Sequence, residues 1–229
     1  PGRSPDPPAG AARAAAGKAW EIRSRGLAAP GAQRLVAYAS VETHTWMDKA
    51  ADLFGLGTDG VHHVAVDDEL RMDPEALRAA VRADRKAGLR PFLLVATAGT
   101  TATGAVDPLP ALAAVAREEG LWFHVDGAYG GFAAQVPGVP EDMAGIAEAD
   151  SVAVDPHKWL YAPLEAGCVL VRDPELLREA FSYHPPYYHF GVEATNYVDL
   201  GLQKEKPLFW VLTPLGVILY LVFAVTFYG

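Results

Sequence analysis

The sequence predicts an α/β fold, a mainly parallel β-sheet covered by helices on both faces. Three observations predict it. Short apolar runs rich in Val, Leu and aromatic residues recur at 35–39, 61–66, 91–97, 121–125, 151–154 and 167–171. They are bounded by Gly, Asp or Pro and are continuously apolar, as strands buried on both faces are. Helical patterns lie between them at 46–54, 74–87, 108–119 and 174–181. Strand–helix alternation of this kind builds parallel sheets with helices on either side.

Taken in order, the opening 17 residues are rich in Pro, Ala and Gly and read as a linker or frayed end. Residues 11–25 can continue as a basic helix. Asp73-Pro74, Asp107-Pro108 and Asp173-Pro174 each put an acid at an expected N-cap before a Pro at the first helical position. Gly88 and Gly120 stand where two of the helices should stop. The expected organisation is therefore a linker (1–17), one large α/β domain (18–203) and a tail (204–229). The tail holds an uncharged apolar run of 21 residues at 208–228, after Lys204-Glu205-Lys206. That is long enough to span a bilayer as a helix, and Pro214 and Gly216 are tolerable there. A core helix of a truncated domain, or a non-native end, are the alternatives.

The chain has 229 residues, enough for a large core, and a formal net charge of −9. Nucleic-acid binders usually present a basic face, so this class is disfavoured. The single cysteine, Cys168, excludes a disulfide framework and a multi-cysteine zinc site. No secretory leader is expected from the opening residues. A reducing compartment, the cytoplasm, is the expected location, with membrane association only through the 208–228 run. His62, His63, His124, His184 and His189 lack ligand-like spacing with carboxylates or cysteines, so no metal site is expected.

In parallel α/β sheets ligands bind beyond the carboxyl ends of the strands. Two such ends carry chemistry. The run 121–125 leads into Asp126 in HVDGAYGG, and 151–154 leads into Lys158 in DPHKW. A carboxylate at the tip of a buried strand is costly unless it meets a cation or donor. A desolvated lysine has a lowered pKa and attacks carbonyls. Read singly, Asp126 can equally cap a glycine turn made with Gly127, Gly130 and Gly131, and Lys158 can lie over Trp159 at the surface. Read together, they are the two groups that an aldehyde cofactor with a pyridine ring needs: an amine for the aldehyde and a carboxylate for the ring nitrogen.

HVDGAYGG followed by SVAVDPHKWLYAP resembles the group II pyridoxal-phosphate-dependent amino acid decarboxylases, the family of the aromatic amino acid, tyrosine, histidine and glutamate decarboxylases. ASVETHTWMDKAADLFGLG, VATAGTTATGAVDPL and FSYHPPYYHFG fall in that family's order, so the resemblance covers about residues 18–203. It implies the large domain of the type I fold of pyridoxal-phosphate enzymes, with a seven-stranded-type sheet, here incomplete. The cofactor implied is pyridoxal 5'-phosphate, the substrate an L-amino acid as a small molecule, and the full-length form a homodimer.

The resemblance also implies roles. Lys158 is the Schiff-base lysine and Asp126 the partner of the pyridine nitrogen. His44 stacks on the cofactor ring, Ala128 packs on the opposite face, and His157 lies beside the cofactor or the substrate carboxylate. Thr100 lies near the cofactor and helps orient Asp126. Tyr187 returns a proton to the substrate carbon, with Tyr188 second in rank. His44 can instead cap a helix start, Thr100 can belong to a plain turn, and Tyr187 can be a surface aromatic. Three features depart from the pattern. No Gly/Ser phosphate-binding turn of the kind GGSEAN stands in residues 1–33, LQKEKPLFWVL follows VDLG where the family has a polar, Arg-containing stretch, and a missing small domain is the expectation. Weakened cofactor binding is the expectation, since a phosphate needs backbone donors and a helix N-terminus. The implied reaction is decarboxylation of an L-amino acid, slightly favouring an aromatic one because of the loop at 181–190. The alternative is a non-catalytic or incomplete remnant.

Overall fold

The computed structural model describes residues 12, 16, 21–163 and 166–181. Six strands form one sheet: β1 (Leu35–Ser40), β2 (Val61–Val64), β3 (Arg90–Thr97), β4 (Trp122–Asp126), β5 (Ser151–Val154) and β6 (Cys168–Val171). The order is β2-β1-β3-β4-β5-β6. The first five run parallel, and β6 pairs antiparallel with β5. The mainly parallel sheet expected from the sequence is present, with six strands among the described residues. Its helices are α1 (Trp46–Leu53), α2 (Pro74–Lys86), α3 (Leu109–Glu119), α4 (Pro156–Trp159) and α5 (Pro174–Phe181). Of the basic stretch at 11–25, the described part includes one helical turn at Ile22–Arg25.

The continuous apolar runs are explained by two cores. Every residue of β1 is buried. On one face Val36, Tyr38, Leu94, Ala96, Phe123 and Val125 pack against Leu77 and Val81 of α2 and Leu109, Leu112 and Val115 of α3. On the other, Ala37, Ala39, Leu93 and Val95 meet Met47, Ala50 and Ala51 of α1. Successive strand residues point to opposite faces, so a strand covered on both sides has no polar positions to spare.

The helix caps show where local chemistry suffices and where it does not. Asp73 caps α2 as expected, accepting from Glu75 N at 2.8 Å and Ala76 N at 3.3 Å. Gly120 ends α3 in the left-handed conformation, φ 60°. Asp107 departs from the expected cap. Pro108 takes the N-cap position of α3, and the Asp107 carboxylate turns inward. It accepts from Met72 N and from Thr97 N, each at 2.7 Å, and is fully buried. One side chain thus stitches the approach to α2 onto the end of β3. A tertiary demand, two buried backbone donors without other acceptors, outcompetes the local cap.

No helix among the described residues is long and apolar enough to cross a membrane, and the 208–228 run lies outside them.

Burial pushes the Asp107 carboxyl up to about 6, against the pull of its two backbone donors, so in neutral buffer both oxygens are ionised acceptors. Asp107→Asn places an amide N–H₂ against one of those donors. Urea unfolding in neutral buffer should show a loss of about 1–3 kcal/mol, the cost of a buried donor left unsatisfied.

Candidate active site

β3, β4 and β5 end side by side, with Thr97 paired to Asp126 and Asp126 paired to Ala153. The loop after β4 lies directly across both neighbours. Gly130 N donates to Ala98 O at 2.9 Å, and Gly127 N donates to Ala153 O at 2.9 Å. A Cβ on Gly130 would lie 2.4 Å from Ala98 O, and one on Gly131 would lie 2.7 Å from the Val154 side chain. The glycines of HVDGAYGG are therefore packing requirements. Only a loop without side chains at these points can tie the three strand ends together and hold Asp126 still.

Asp126 is buried, 7% exposed. Its Oδ2 accepts from the indole Nε1–H of Trp46 at 2.7 Å, and its Oδ1 accepts from Ala128 N at 3.1 Å. Both are neutral donors. They orient the carboxylate without cancelling its charge, and each oxygen keeps a lone pair. Thr97 Oγ1, whose residue is in register with Asp126, is buried without a hydrogen-bond partner among the described residues.

Lys158 follows β5 on the short helix α4, with its side chain 38% exposed and Nζ 2.9 Å from Asp155 Oδ2. The expected desolvated amine is thus an ion-paired, part-exposed one. The chain leaves the sheet at Asp155, and α4 carries Lys158 to the rim. His157 stands between them: Nδ1 lies 2.8 Å from Ala166 O and Nε2 lies 3.7 Å from Asp155 Oδ2. Trp159 meets Tyr129 edge to face at 5.8 Å, and both rings are about half exposed.

The other expected site residues divide. Ala128 is adjacent to Asp126 through its backbone N–H. His44 is exposed just before α1, and its Nδ1 accepts from Trp46 N at 3.2 Å, a cap-like contact. Thr100 is buried, but its hydroxyl is engaged within its own turn, with Thr103 Oγ1 at 2.7 Å and Ala105 N at 3.1 Å. The side chain that donates to Asp126 is that of Trp46, and the partners of the Thr100 hydroxyl are Thr103 and Ala105. The six-residue turn closes on itself, so the threonine hydroxyl is spent locally. Tyr187 and Tyr188 lie outside the described residues. Trp46 and Asp155 were not anticipated. Their position beside His44 and Lys158 was the available signal, but a tryptophan in an amphipathic helix ordinarily reads as core.

Behind Asp126 lies a buried polar row. Trp122 Nε1 donates to Ser151 Oγ at 2.8 Å, and Ser151 Oγ is 2.9 Å from His124 Nδ1. His124 stands edge to face with Trp46, centroids 5.9 Å apart. Burial pushes His124 down to about 4, although the Asp126 carboxylate pulls the other way.

Residues 11–206 match the family model described as the pyridoxal-dependent decarboxylase conserved domain. The chain belongs to this family. It is 38% identical over 178 residues to an aromatic-L-amino-acid decarboxylase of Bacillus atrophaeus, covering 76% of this chain and 37% of that protein. It is 42% identical over 168 residues to an acidic amino acid decarboxylase of Xenopus tropicalis, covering 73% of this chain and 32% of the relative. The crystal structure of mouse CSAD superimposes with a TM-score of 0.76 at 32% identity, covering 98% of this chain and 50% of that one. Oryza sativa TDC, solved with PLP and tryptamine, gives 0.76 at 34% identity, covering 93% and 45%. This member of the pyridoxal-dependent decarboxylases therefore spans about a third of the length of these curated relatives. The residues present fit the family's cofactor: a buried carboxylate held by neutral donors suits a protonated ring nitrogen, and a reachable amine suits an aldehyde.

The histidine result carries a sign. His124 is neutral in the fold and titrates near its ordinary 6.5 when unfolded, so the unfolded chain binds more protons between those values. Its contribution is complete above the unfolded value and lost as the pH falls toward about 4. Between about pH 7 and about pH 5 the native chain should lose about 1–2 kcal/mol more stability than His124→Gln, by urea unfolding at each pH.

Proposed function

We propose that this chain is the cofactor-binding part of a pyridoxal-phosphate-dependent enzyme that converts an L-amino acid to its amine and carbon dioxide. The observation that carries the reading is that Asp126 stands at, and Lys158 just beyond, the carboxyl ends of adjacent parallel strands. When bound, pyridoxal phosphate supplies an electron sink for the electron pair left as the substrate's carboxylate departs.

The chain's own groups do the rest. Asp126, oriented by Trp46 and Ala128, holds the proton on the ring nitrogen. Lys158 supplies the amine that bonds the aldehyde, and Asp155 is its counter-ion when that amine is free. His44, exposed at the start of α1, covers one ring face, and Ala128 leaves room on the other. His157, anchored at Ala166, takes a place beside the cofactor or the substrate carboxylate. Thr100 stiffens the turn that follows β3. Tyr187 is the proposed acid that returns a proton to the substrate's α carbon. The aromatic segment at 181–190 favours an aromatic substrate. The half-exposed Tyr129 and Trp159 beside the site favour burial against more protein, and a homodimer of the full-length form supplies it. The single cysteine, Cys168, favours a cytoplasmic location.

The purified chain mixed with pyridoxal phosphate should show a yellow imine absorbance that borohydride fixes covalently on Lys158, and Lys158→Ala should show neither. Absence of the adduct in the native chain selects the non-catalytic remnant. An adduct that persists in Lys158→Ala removes Lys158 from the site. In a chain that turns over an amino acid, Tyr187→Phe should lower the amine yield at least tenfold, the usual weight of a positioned acid. An unchanged yield excludes Tyr187.

A further inference from the structure

Asp126 has an unusual environment for a carboxylate at a strand tip. Its strongest side-chain partner is a tryptophan, and the bond is short, 2.7 Å from Nε1 to Oδ2. The indole belongs to the first residue of α1, and the carboxylate to the last residue of β4. The bond therefore joins two elements that are far apart in sequence, at the point where the sheet meets the site. The indole is itself held. Its ring stands at 87° to that of His124, which is fully buried and tied to Ser151, which in turn accepts from Trp122.

The choice of donor has a chemical consequence. An indole N–H is a donor only and does not ionise. A lysine or arginine in the same place would neutralise the carboxylate and compete with any cation brought to it. A serine or threonine hydroxyl can rotate and turn its oxygen toward the carboxylate. Tryptophan fixes the orientation of Oδ2 and leaves the full charge available. The neutral His124 behind it adds no competing positive charge.

We infer that Trp46 is a positioning residue that acts through Asp126 on the ring nitrogen of the bound cofactor. The inference rests on the reading of Asp126 given above and deepens it, assigning to the indole N–H a share of the cofactor's affinity at its ring nitrogen. Trp46 touches Asp126 and needs no contact with the cofactor.

The test separates a role at the ring nitrogen from general packing. Trp46→Phe removes the N–H and keeps a ring against His124. The dissociation constants of pyridoxal phosphate and of its analogue with carbon in place of the ring nitrogen are measured for both proteins, from the absorbance of the Lys158 adduct. Trp46→Phe should weaken pyridoxal phosphate about tenfold, the weight of one hydrogen bond to a charged group, and leave the carbon analogue within about twofold. Equal weakening of both ligands would make Trp46 a packing residue and overturn the inference. No change in either, or tighter binding of pyridoxal phosphate once the indole is gone, would overturn it as well, the latter by showing that the indole competes for the carboxylate. An adduct in neither protein removes the cofactor reading together with the inference. An adduct in the native chain with no difference between the variants removes the inference alone.

Discussion

The site depends on the backbone contact between the loop after β4 and the ends of β3 and β5. Gly130 reaches the Ala98 carbonyl and Gly127 reaches the Ala153 carbonyl because neither carries a side chain. A methyl group at Gly130 would sit well inside van der Waals contact distance of the Ala98 backbone oxygen. This loop sets the direction in which Asp126 leaves its strand. It also supplies the Ala128 N–H that holds one carboxylate oxygen. The sheet brings the three strand ends together, and the glycines convert that proximity into a fixed geometry.

Charge is managed in the same region by neutral groups. The carboxylate of Asp126 is buried yet meets an indole and a backbone amide instead of a cation. A histidine two residues earlier on the same strand face is kept uncharged by complete burial. The amine of Lys158 is paired separately, with Asp155 just before its helix. The negative group and the amine are thus held apart, each with its own partner. A ligand carrying a cationic ring at one end and an aldehyde at the other can engage both. Such sites place local hydrogen bonding above local stability, since an ionised carboxylate with neutral partners is costlier to bury than an ion pair.

Much of the fold was legible because its signals are local. Apolar runs marked the strands, and the structure places one at each of the six, with β1, β3 and β4 covered on both faces. Asp73 was legible as a cap because its partners are the next two residues but one and two. Asp107 carries the same Asp-Pro signal and was not, because its partners, Met72 and Thr97, come from elsewhere in the chain. At the site, the positions of Asp126 at the end of β4 and of Lys158 just after β5 were legible from the apolar runs, while their roles come from the resemblance. The orienting role of Trp46 was not, because it depends on how α1 lies over the sheet, and no spacing in the sequence reports that. The contacts of the Thr100 hydroxyl with Thr103 and Ala105 were not legible either.

The sequence by itself determined the alternation of strand and helix, the parallel class of sheet, and the two strand ends that carry an acid and an amine. Each follows from residue type and period within a short window, where the backbone's few conformations leave little choice. Only the tertiary structure decided which neutral donor holds the acid, which carboxylate holds the amine, and which buried acid abandons its cap for two distant backbone amides. Those contacts join segments tens of residues apart. Their energies depend on burial and on hydrogen-bond geometry, which exist only once the layers have packed.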